Sequence, residues 1–253
     1  MPQEIKEERQ DLIIGRNPVM EALRSKATLD KIILARGTEG GSIVPILEKA
    51  RALKVPIREV PKQKLDFMCG GKVHQGIAAV IATHEYCEIE DILNNAKQKG
   101  KDPFIIICDC IEDPHNLGAI IRTAEACSVD GIIIPKNRAA SVNATVAKAS
   151  SGALMYANIA RVTNLTEAIK TLKENGVWVY GADMDGEIAS NASLLGPIAL
   201  VIGSEGHGIS RLVKENCDNI ISLPMYGKVN SLNASVAAGV LMYEIVRQRG
   251  LKN

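Results

Sequence analysis

Residues 104–122 read FIIICDCIEDPHNLGAIIR and decide the fold of the larger part of the chain. The apolar run Phe104–Cys110 has strand length, and a helical pattern follows at about Leu117–Cys127. A strand buried on both faces loses its period-two alternation, and a strand followed by a helix is typical of a parallel crossover. The stretch therefore predicts the first β–α unit of a parallel sheet.

The same pattern continues to residue 249. Further apolar runs of strand length lie at Gly131–Ile134, Val177–Gly181, Ile198–Gly203 and Ile220–Leu223. Helical patterns accompany them at about Asn143–Ser151, Leu165–Glu174, Arg211–Asn216 and Asn233–Arg249. We predict an α/β fold, a doubly wound parallel sheet over residues 104–253, whose ligand lies beyond the carboxyl ends of the strands.

Residues 12–83 predict a separate small α/β unit. Its strands are expected at Lys31–Ala35, Val55–Val60 and Ile77–Ala82, and its helices at Pro18–Arg24, with Asn17 as N-cap, and Ser42–Lys54. Residues 1–11 form a polar tail. Residues 84–103 are expected to be a linker with one helix around Glu90–Lys97, because they are polar and end in the breaker cluster GKDP.

Composition excludes several classes of protein. The chain has 253 residues, of which 46% are hydrophobic and 23% charged, and no apolar run approaches the roughly 20 residues of a membrane span. We expect no membrane segment and no signal peptide. The cysteines form no Cys-x-x-Cys pair, so they are expected to be reduced in a cytoplasmic protein. We expect no metal site, because nothing shows that His115 and His207 converge.

Charge divides unevenly along the chain. Residues 1–83 carry 14 Lys and Arg against 10 Asp and Glu, whereas residues 84–253 carry 16 against 19. The basic first part favours contact with a polyanion, although an ordinary solvated lysine face has the same composition. Its positive charge comes from Lys49, Arg51, Lys54, Arg58, Lys62, Lys64 and Lys72, partly offset by Glu48, Glu59 and Asp66.

Three polar segments follow strand ends in the second part. Asn116 and Arg122 belong to the first, where the simpler interpretations are helix capping and a surface pair between Arg122 and Glu125. The second, Leu200–Ser210, is rich in glycine, which lets the backbone approach a ligand closely, and its Glu205 either caps the next helix or holds a polar ligand. Ser231, Asn233 and Ser235 in the third are again candidate caps.

Together and in this order, the segments resemble the three motifs of the SpoU (TrmH) family of RNA ribose 2'-O-methyltransferases. The matching residues are DPHNLGA with Arg122, LVIGSEGHG at 200–208, and ISLPM with NSLNASVA between 221 and 237. IIGRNPVMEAL at 13–23 and KVHQGIAA at 72–79 resemble the first domain of the RlmB-like subgroup, which methylates a guanosine of 23S ribosomal RNA. That domain resembles a ribosomal-protein-like RNA-binding fold.

The resemblance implies a C-terminal trefoil knot, a homodimer with active sites at the subunit interface, and S-adenosylmethionine as methyl donor. It also implies roles for named residues. The catalytic or site-organising set is Arg122, Asn116, Glu205, Ser231 and Asn233. The donor-binding set is Gly203, Leu223, Leu232, Ile202 and Met225. The RNA-binding set is Arg16, Asn17, Lys72, His74 and Gln75.

The expected reaction is methyl transfer to the ribose 2'-hydroxyl of a guanosine in 23S ribosomal RNA. Transfer RNA is the alternative substrate, and a non-catalytic RNA-binding ribosome-assembly factor is the alternative class. A nicotinamide-dependent oxidoreductase needs G-x-G-x-x-G after its first strand, where this chain has Asp109–Asn116. We expect Arg122 to orient the hydroxyl or stabilise developing oxyanion charge, because arginine is a poor base.

Overall fold

The computed structural model describes residues 12–25, 27–38, 40–81, 84–229 and 231–250. They form two units, which divide between Glu85 and Tyr86. The segment Ser141–Thr145 groups with the first unit, and the remaining described residues after Glu85 form the second.

The first unit is a four-stranded mixed sheet with helices on both faces. Its strands are β1 (Leu12–Ile14), β2 (Leu29–Ala35), β3 (Ile57–Val60) and β4 (Ile77–Ile81), in the order β1-β4-β2-β3. Strand β4 is antiparallel to both neighbours, whereas β2 and β3 are parallel. The helices are α1 (Arg16–Arg24), α2 (Ile43–Ala52) and α3 (Lys62–Met68).

Alternation along β2 gives this unit a core on each face of its sheet. Ile32 and Leu34 pack with residues of α1 and α2. Ile33 and Ala35 face the other way and pack with Leu65 of α3. Successive side chains of a strand point to opposite faces, so one apolar strand supplies both cores.

The second unit is a six-stranded sheet, entirely parallel, as the sequence predicts. Its order is β10-β8-β9-β5-β6-β7. The strands are β5 (Phe104–Cys108), β6 (Gly131–Pro135), β7 (Ile159–Val162), β8 (Trp178–Ile188), β9 (Ile198–Ile202) and β10 (Asn219–Ser222). The helices are α4 (Ile89–Gln98), α5 (Pro114–Ala126), α6 (Ala144–Ala149), α7 (Leu165–Glu174), α8 (Arg211–Asn216) and α9 (Ala234–Arg249). Every residue of β5 and β9 is buried, which accounts for their unbroken apolar runs.

Two expected N-caps are wrong. Helix α1 begins one residue before Asn17, and its N-cap is Gly15, whose φ of 100° favours glycine. Helix α5 begins two residues before Asn116, because Asp113 is the N-cap and its Oδ1 accepts a hydrogen bond from the backbone N–H of His115 at 3.0 Å. Pro114 then occupies the first helical position, where its missing N–H costs nothing.

The segment 84–103, expected to be a linker, contributes to the core of the second unit. Its helix α4 matches the prediction closely, but Ile89 and Ile92 are buried with residues of β5 and α7. A Cβ on Gly131 would collide with the side chain of Ile92, so β6 needs glycine at this position. Polar composition concealed this role because only one face of α4 is apolar.

The order of the strands sets the position of the candidate site. Strand β5 pairs with β6 on one side and with β9 on the other. The crossovers that leave β5 and β9 therefore diverge, and a crevice opens at the carboxyl ends of these two strands. The residues following β5 and those following β9 meet in this crevice.

Candidate active site

Three of the expected catalytic residues form one hydrogen-bonded network. Asn116 donates through Nδ2 to Oε1 of Glu205 at 3.0 Å. Asn233 donates through Nδ2 to Oδ1 of Asn116 at 2.9 Å and to the same Glu205 oxygen. The loop after β9 is thereby joined to the first turn of α5 and to the start of α9.

Asn233 has two functions at the start of α9. Its Oδ1 accepts hydrogen bonds from the backbone N–H groups of Ser235 at 3.0 Å and Val236 at 3.3 Å, so it is the N-cap that the sequence predicts. Its Nδ2 remains for the network with Glu205. The backbone N–H of Ala234 also points to Glu205 Oε1, at 3.4 Å, and a carboxylate is stabilised at a helix N-terminus. Glu205 therefore does not cap the next helix, α8, whose N-cap is Ser210; it interacts with the start of α9 and holds the polar groups of the network.

The glycine-rich loop after β9 has a fixed shape. Ser204 and Gly208 exchange backbone hydrogen bonds of 3.0 and 2.9 Å. A Cβ on Gly203 would collide with the backbone of Gly208, so only glycine allows this close approach. Buried Asp109, directly after β5, accepts from the backbone N–H of Ser210 at 2.7 Å and holds the far end of the loop.

A cavity of about 760 Å³ lies beside this loop. This volume is within the range of about 300–1,000 Å³ that is typical of small-molecule sites. All five expected donor-binding residues line it, namely Ile202, Gly203, Leu223, Met225 and Leu232. Glu205 and Ser231 from the catalytic set line it as well. The structure therefore brings the donor-binding set together, although its members come from loops that follow two different strands.

The cavity is also lined by polar residues that the sequence motifs do not include. Asp183 and Lys214 line it and form an ion pair of 3.0 Å. The hydrogen bond to Asp183 raises the pKa of Lys214, so the ammonium group remains charged. Asp109 was also missed as a loop anchor. The available signal was the same for Asp109 and Asp183, a carboxylate near the end of a predicted apolar strand run.

Arg122 lies apart from the network within one chain. Its side chain is exposed, and Nη1 donates to Oγ of Ser151 at 3.2 Å. Six residues separate it from Asn116 on α5, about 9 Å along the axis and on a different side of the helix. Arg122 is not among the described residues that line the cavity beside the glycine-rich loop.

The first unit joins two of the five expected RNA-binding residues, Arg16 and Gln75, by hydrogen bonds. Arg16 donates from its backbone N–H to Oε1 of Gln75 and from Nε to the Gln75 carbonyl, both at 3.1 Å. Asn17 and Lys72 are exposed. His74 is only 6% exposed, and its Nε2 lies 2.7 Å from Oδ1 of Asp66. His74 therefore positions the loop from inside instead of presenting its ring to a ligand.

The structure offers neither a metal site nor a reactive thiol in its described part. No group of three metal-ligating side chains occurs among the described residues. All six cysteines are free. Burial raises the pKa of Cys108 to about 12 and that of Cys127 to about 11, so both thiols stay protonated at neutral pH. Within the same described residues, no helix is long and apolar enough to cross a membrane.

Comparisons with known proteins agree with these site motifs. The pattern of the SpoU rRNA methylase family matches residues 103–243, and that of the RNA 2'-O ribose methyltransferase substrate-binding domain matches residues 12–87. A TrmH family tRNA/rRNA methyltransferase of Bacillus subtilis is 50% identical over 240 residues, which cover 94% of this chain and 96% of that protein.

Solved structures show the same architecture. The SpoU methyltransferase AviRb of Streptomyces viridochromogenes, solved with AdoMet, has a TM-score of 0.60 at 23% identity and covers 97% of both chains. A TrmH/SpoU tRNA modifying enzyme of A. aeolicus has a TM-score of 0.53 at 27% identity, covering 63% of this chain and 85% of its own. The chain belongs to the SpoU (TrmH) family of RNA methyltransferases, with the substrate-binding domain of such enzymes ahead of the methylase domain.

Proposed function

We propose that this protein transfers a methyl group from S-adenosylmethionine to the ribose 2'-hydroxyl of a guanosine in 23S ribosomal RNA. The observation that carries the proposal is the network of Asn116, Glu205 and Asn233, which stands at the edge of a cavity lined by all five donor-binding candidates. Polar groups that orient a ribose thus adjoin a cavity of the size that a small donor needs.

The cavity fits the donor chemically. Ile202, Leu223 and Leu232 supply apolar surface, while the loop at Gly203 brings backbone groups to the wall without an intervening side chain. Such a mixture of apolar walls and a few placed polar groups suits an adenosine derivative. AviRb, which shares the fold, was solved with AdoMet. When bound, S-adenosylmethionine supplies an electrophilic methyl group.

We assign separate roles to the polar residues. Glu205 fixes the two amides, and Asn116 and Asn233 then orient the ribose so that its 2'-oxygen faces the methyl group. Such positioning alone supplies several kcal/mol of catalysis. Arg122 orients the hydroxyl and stabilises charge that develops on its oxygen, because a guanidinium with a pKa above about 12 is a poor base. Ser231 lines the cavity wall.

We infer a homodimer with active sites at the subunit interface. Val236, Val240 and Tyr243 form an exposed apolar stripe on α9 at helical spacing. With residues of α5 they line a groove of about 860 Å³. A second copy bound in this groove would cover the stripe and bring the second copy's α5 to the site. Arg122 of the second copy would then complete the network of the first copy, which contains no arginine.

Two further expectations have structural support. Strand β10 is the edge strand next to β8, whereas β9 lies between β8 and β5. The loops after β9 and β10 therefore reach one cavity from different places in the sheet. This order supports the C-terminal trefoil knot that the resemblance implies. The free cysteines support a reducing cytoplasmic location.

Ribosomal RNA is favoured over transfer RNA by the first unit. The tRNA modifying enzyme of A. aeolicus matches only 63% of this chain, whereas the substrate-binding pattern covers residues 12–87 here. The test is to incubate the protein with labelled S-adenosylmethionine and two unmodified RNAs, a peptidyl-transferase fragment of 23S RNA and a tRNA pool. Nuclease digestion then locates the label.

Each result of this experiment has a clear consequence. Label on a guanosine ribose of the ribosomal fragment alone supports the proposal. Label on tRNA alone keeps the chemistry and overturns the substrate. If calorimetry finds no donor binding and no label reaches either RNA, the protein would instead fit a non-catalytic assembly factor.

A further inference from the structure

The exposed face of α3 carries an aromatic ring without a packing role in its unit. Leu65 and Cys69 are buried in the core below the sheet, and Met68 packs against it. Phe67 lies about 200° around the helix from Leu65, on the outer face, and 57% of it is exposed. It is one of only two phenylalanines in the chain, and the other, Phe104, is buried.

The loop after α3 folds back onto the C-terminal end of this helix. Backbone N–H groups of Gly70 and Gly71 donate to the carbonyls of Phe67 and Asp66 at 3.1 and 3.3 Å. The pair between His74 and Asp66 then ties the end of the loop to the helix. Val73, directly before His74, is 84% exposed, so a second apolar side chain is held near the C-terminal end of α3.

Positive charge surrounds these apolar side chains. Lys64 precedes Phe67 by three residues and is its neighbour on the helix surface. Lys72 is exposed in the loop. The one carboxylate of the segment 61–75 is Asp66, which is already bonded to His74. The charge of the segment is therefore complementary to a phosphate backbone.

We propose that Phe67 stacks on an unpaired base of the substrate RNA, while Lys64 and Lys72 contact the flanking phosphates and Val73 covers the edge of the base. The inference rests on the proposed function, since RNA is the substrate there. Base stacking on an aromatic ring requires an unstacked base, because a duplex already covers both faces of its bases. This platform, formed by Phe67, Val73, Lys64 and Lys72, therefore selects single-stranded or looped RNA.

The test measures RNA affinity by fluorescence anisotropy with the full chain. The probe is a labelled single-stranded RNA of about 12 nucleotides, alone or annealed to its complement, at about 50 mM salt, where phosphate contacts are strong. Variant Phe67→Ala removes the ring. Variant Leu53→Ala is the matched control, because Leu53 is a 42% exposed apolar residue of the same unit. Thermal unfolding verifies that both variants fold.

We expect Phe67→Ala to weaken binding of the single strand about tenfold. Leu53→Ala should leave it within about twofold, and the duplex should bind both variants as it binds the unmodified protein. Unchanged single-strand affinity of Phe67→Ala overturns the proposal, as does equal loss for the duplex. Failure of the proposed function has a different signature, namely that the unmodified protein labels no RNA with methyl groups.

A spectroscopic measurement reports stacking directly. The chain has a single tryptophan, Trp178, so Trp178→Phe combined with Phe67→Trp places one indole in the platform. We expect this variant to retain affinity and its fluorescence to be quenched as single-stranded RNA is added. Bound RNA without quenching would show that the ring does not touch a base.

Discussion

At the scale of single residues, replacing Arg122 should impair methyl transfer and leave donor binding intact. Its guanidinium contacts Ser151 and does not line the cavity proposed for the donor. We expect Arg122→Ala to lower kcat by about 100- to 1,000-fold, in the range of a lost oxyanion donor. Calorimetry should find S-adenosylmethionine binding unchanged. Arg122→Lys keeps the charge but not the planar fork, so it should recover only part of the activity. Near-normal turnover of the alanine variant would remove Arg122 from the catalytic set.

Asn233 allows structural and catalytic roles to be compared with a matched control. Asn164 is the N-cap of α7 and accepts from the backbone N–H of Thr166 at 2.9 Å, but it has no part in the network. Replacing either asparagine by alanine should lower the free energy of unfolding by about 1 kcal/mol, measured by urea denaturation. Only Asn233→Ala should also lose methyl transfer. Equal activity of the two variants would leave Asn233 as a helix cap and nothing more.

At the scale of elements, the glycine loop after β9 provides a test of the proposed donor site. Gly203 has no room for a Cβ, whereas a Cβ on Gly206 meets nothing within 4 Å. We expect Gly203→Ala to force the loop away from the cavity and to weaken donor binding at least tenfold, measured by calorimetry. Gly206→Ala should bind as the unmodified protein does. A Gly203→Ala variant with full affinity would mean that the loop does not form the donor site.

Helix α9 supplies a pH-dependent contribution to stability. Hydrogen bonds from Arg247 and Gln248 lower the pKa of Glu244 from its ordinary value of 4.5 to about 2. The folded carboxylate binds its proton less tightly than the unfolded one, so its stabilisation is present above pH 4.5 and is lost as the pH falls towards 2. Thermal midpoints should therefore favour the unmodified protein over Glu244→Gln at pH 6, and the difference should vanish near pH 2. A difference that stays constant down to pH 2 would contradict this linkage.

Elements with a strong local signal could be predicted from the sequence. Strands β5 and β9 are continuous apolar runs because the sheet buries both of their faces, and the predicted bounds of α7 and α8 match the structure. Strands β1 and β7 and helix α3 were not predicted, since none of them has a clear apolar period. The predicted start of α5 is wrong because Asp113 and Asn116 are both good N-cap residues. Only Pro114, which directly follows Asp113 and suits the first helical position, distinguishes them.

At the scale of the whole molecule, spacing could not predict which side chains meet. Asn116 and Glu205 are 89 positions apart, and Asn116 and Asn233 are 117 apart. Their contact depends on β9 inserting beside β5, a choice of strand order that no local pattern encodes. The family motifs suggested the set because they retain residues that only the folded chain unites. They could not show that His74 is buried, since a motif carries no information on exposure.

The proposed division of one active site between two copies of the chain can be tested by mixing inactive variants. Glu205→Gln disturbs the network, whereas Arg122→Ala removes an arginine that lies apart from that network in its own chain. If a partner supplies Arg122, a mixed dimer contains one site with both residues intact and one site with neither. Random mixing of equal amounts should then restore about a quarter of the normal methyl-transfer rate, because half of the dimers are mixed and each has one intact site. The control mixes Glu205→Gln with Asn233→Ala, whose changes fall in the same network, and should restore nothing. No recovery in the first mixture, despite exchange of subunits shown by differently tagged chains, would place Arg122 and the network in the same copy.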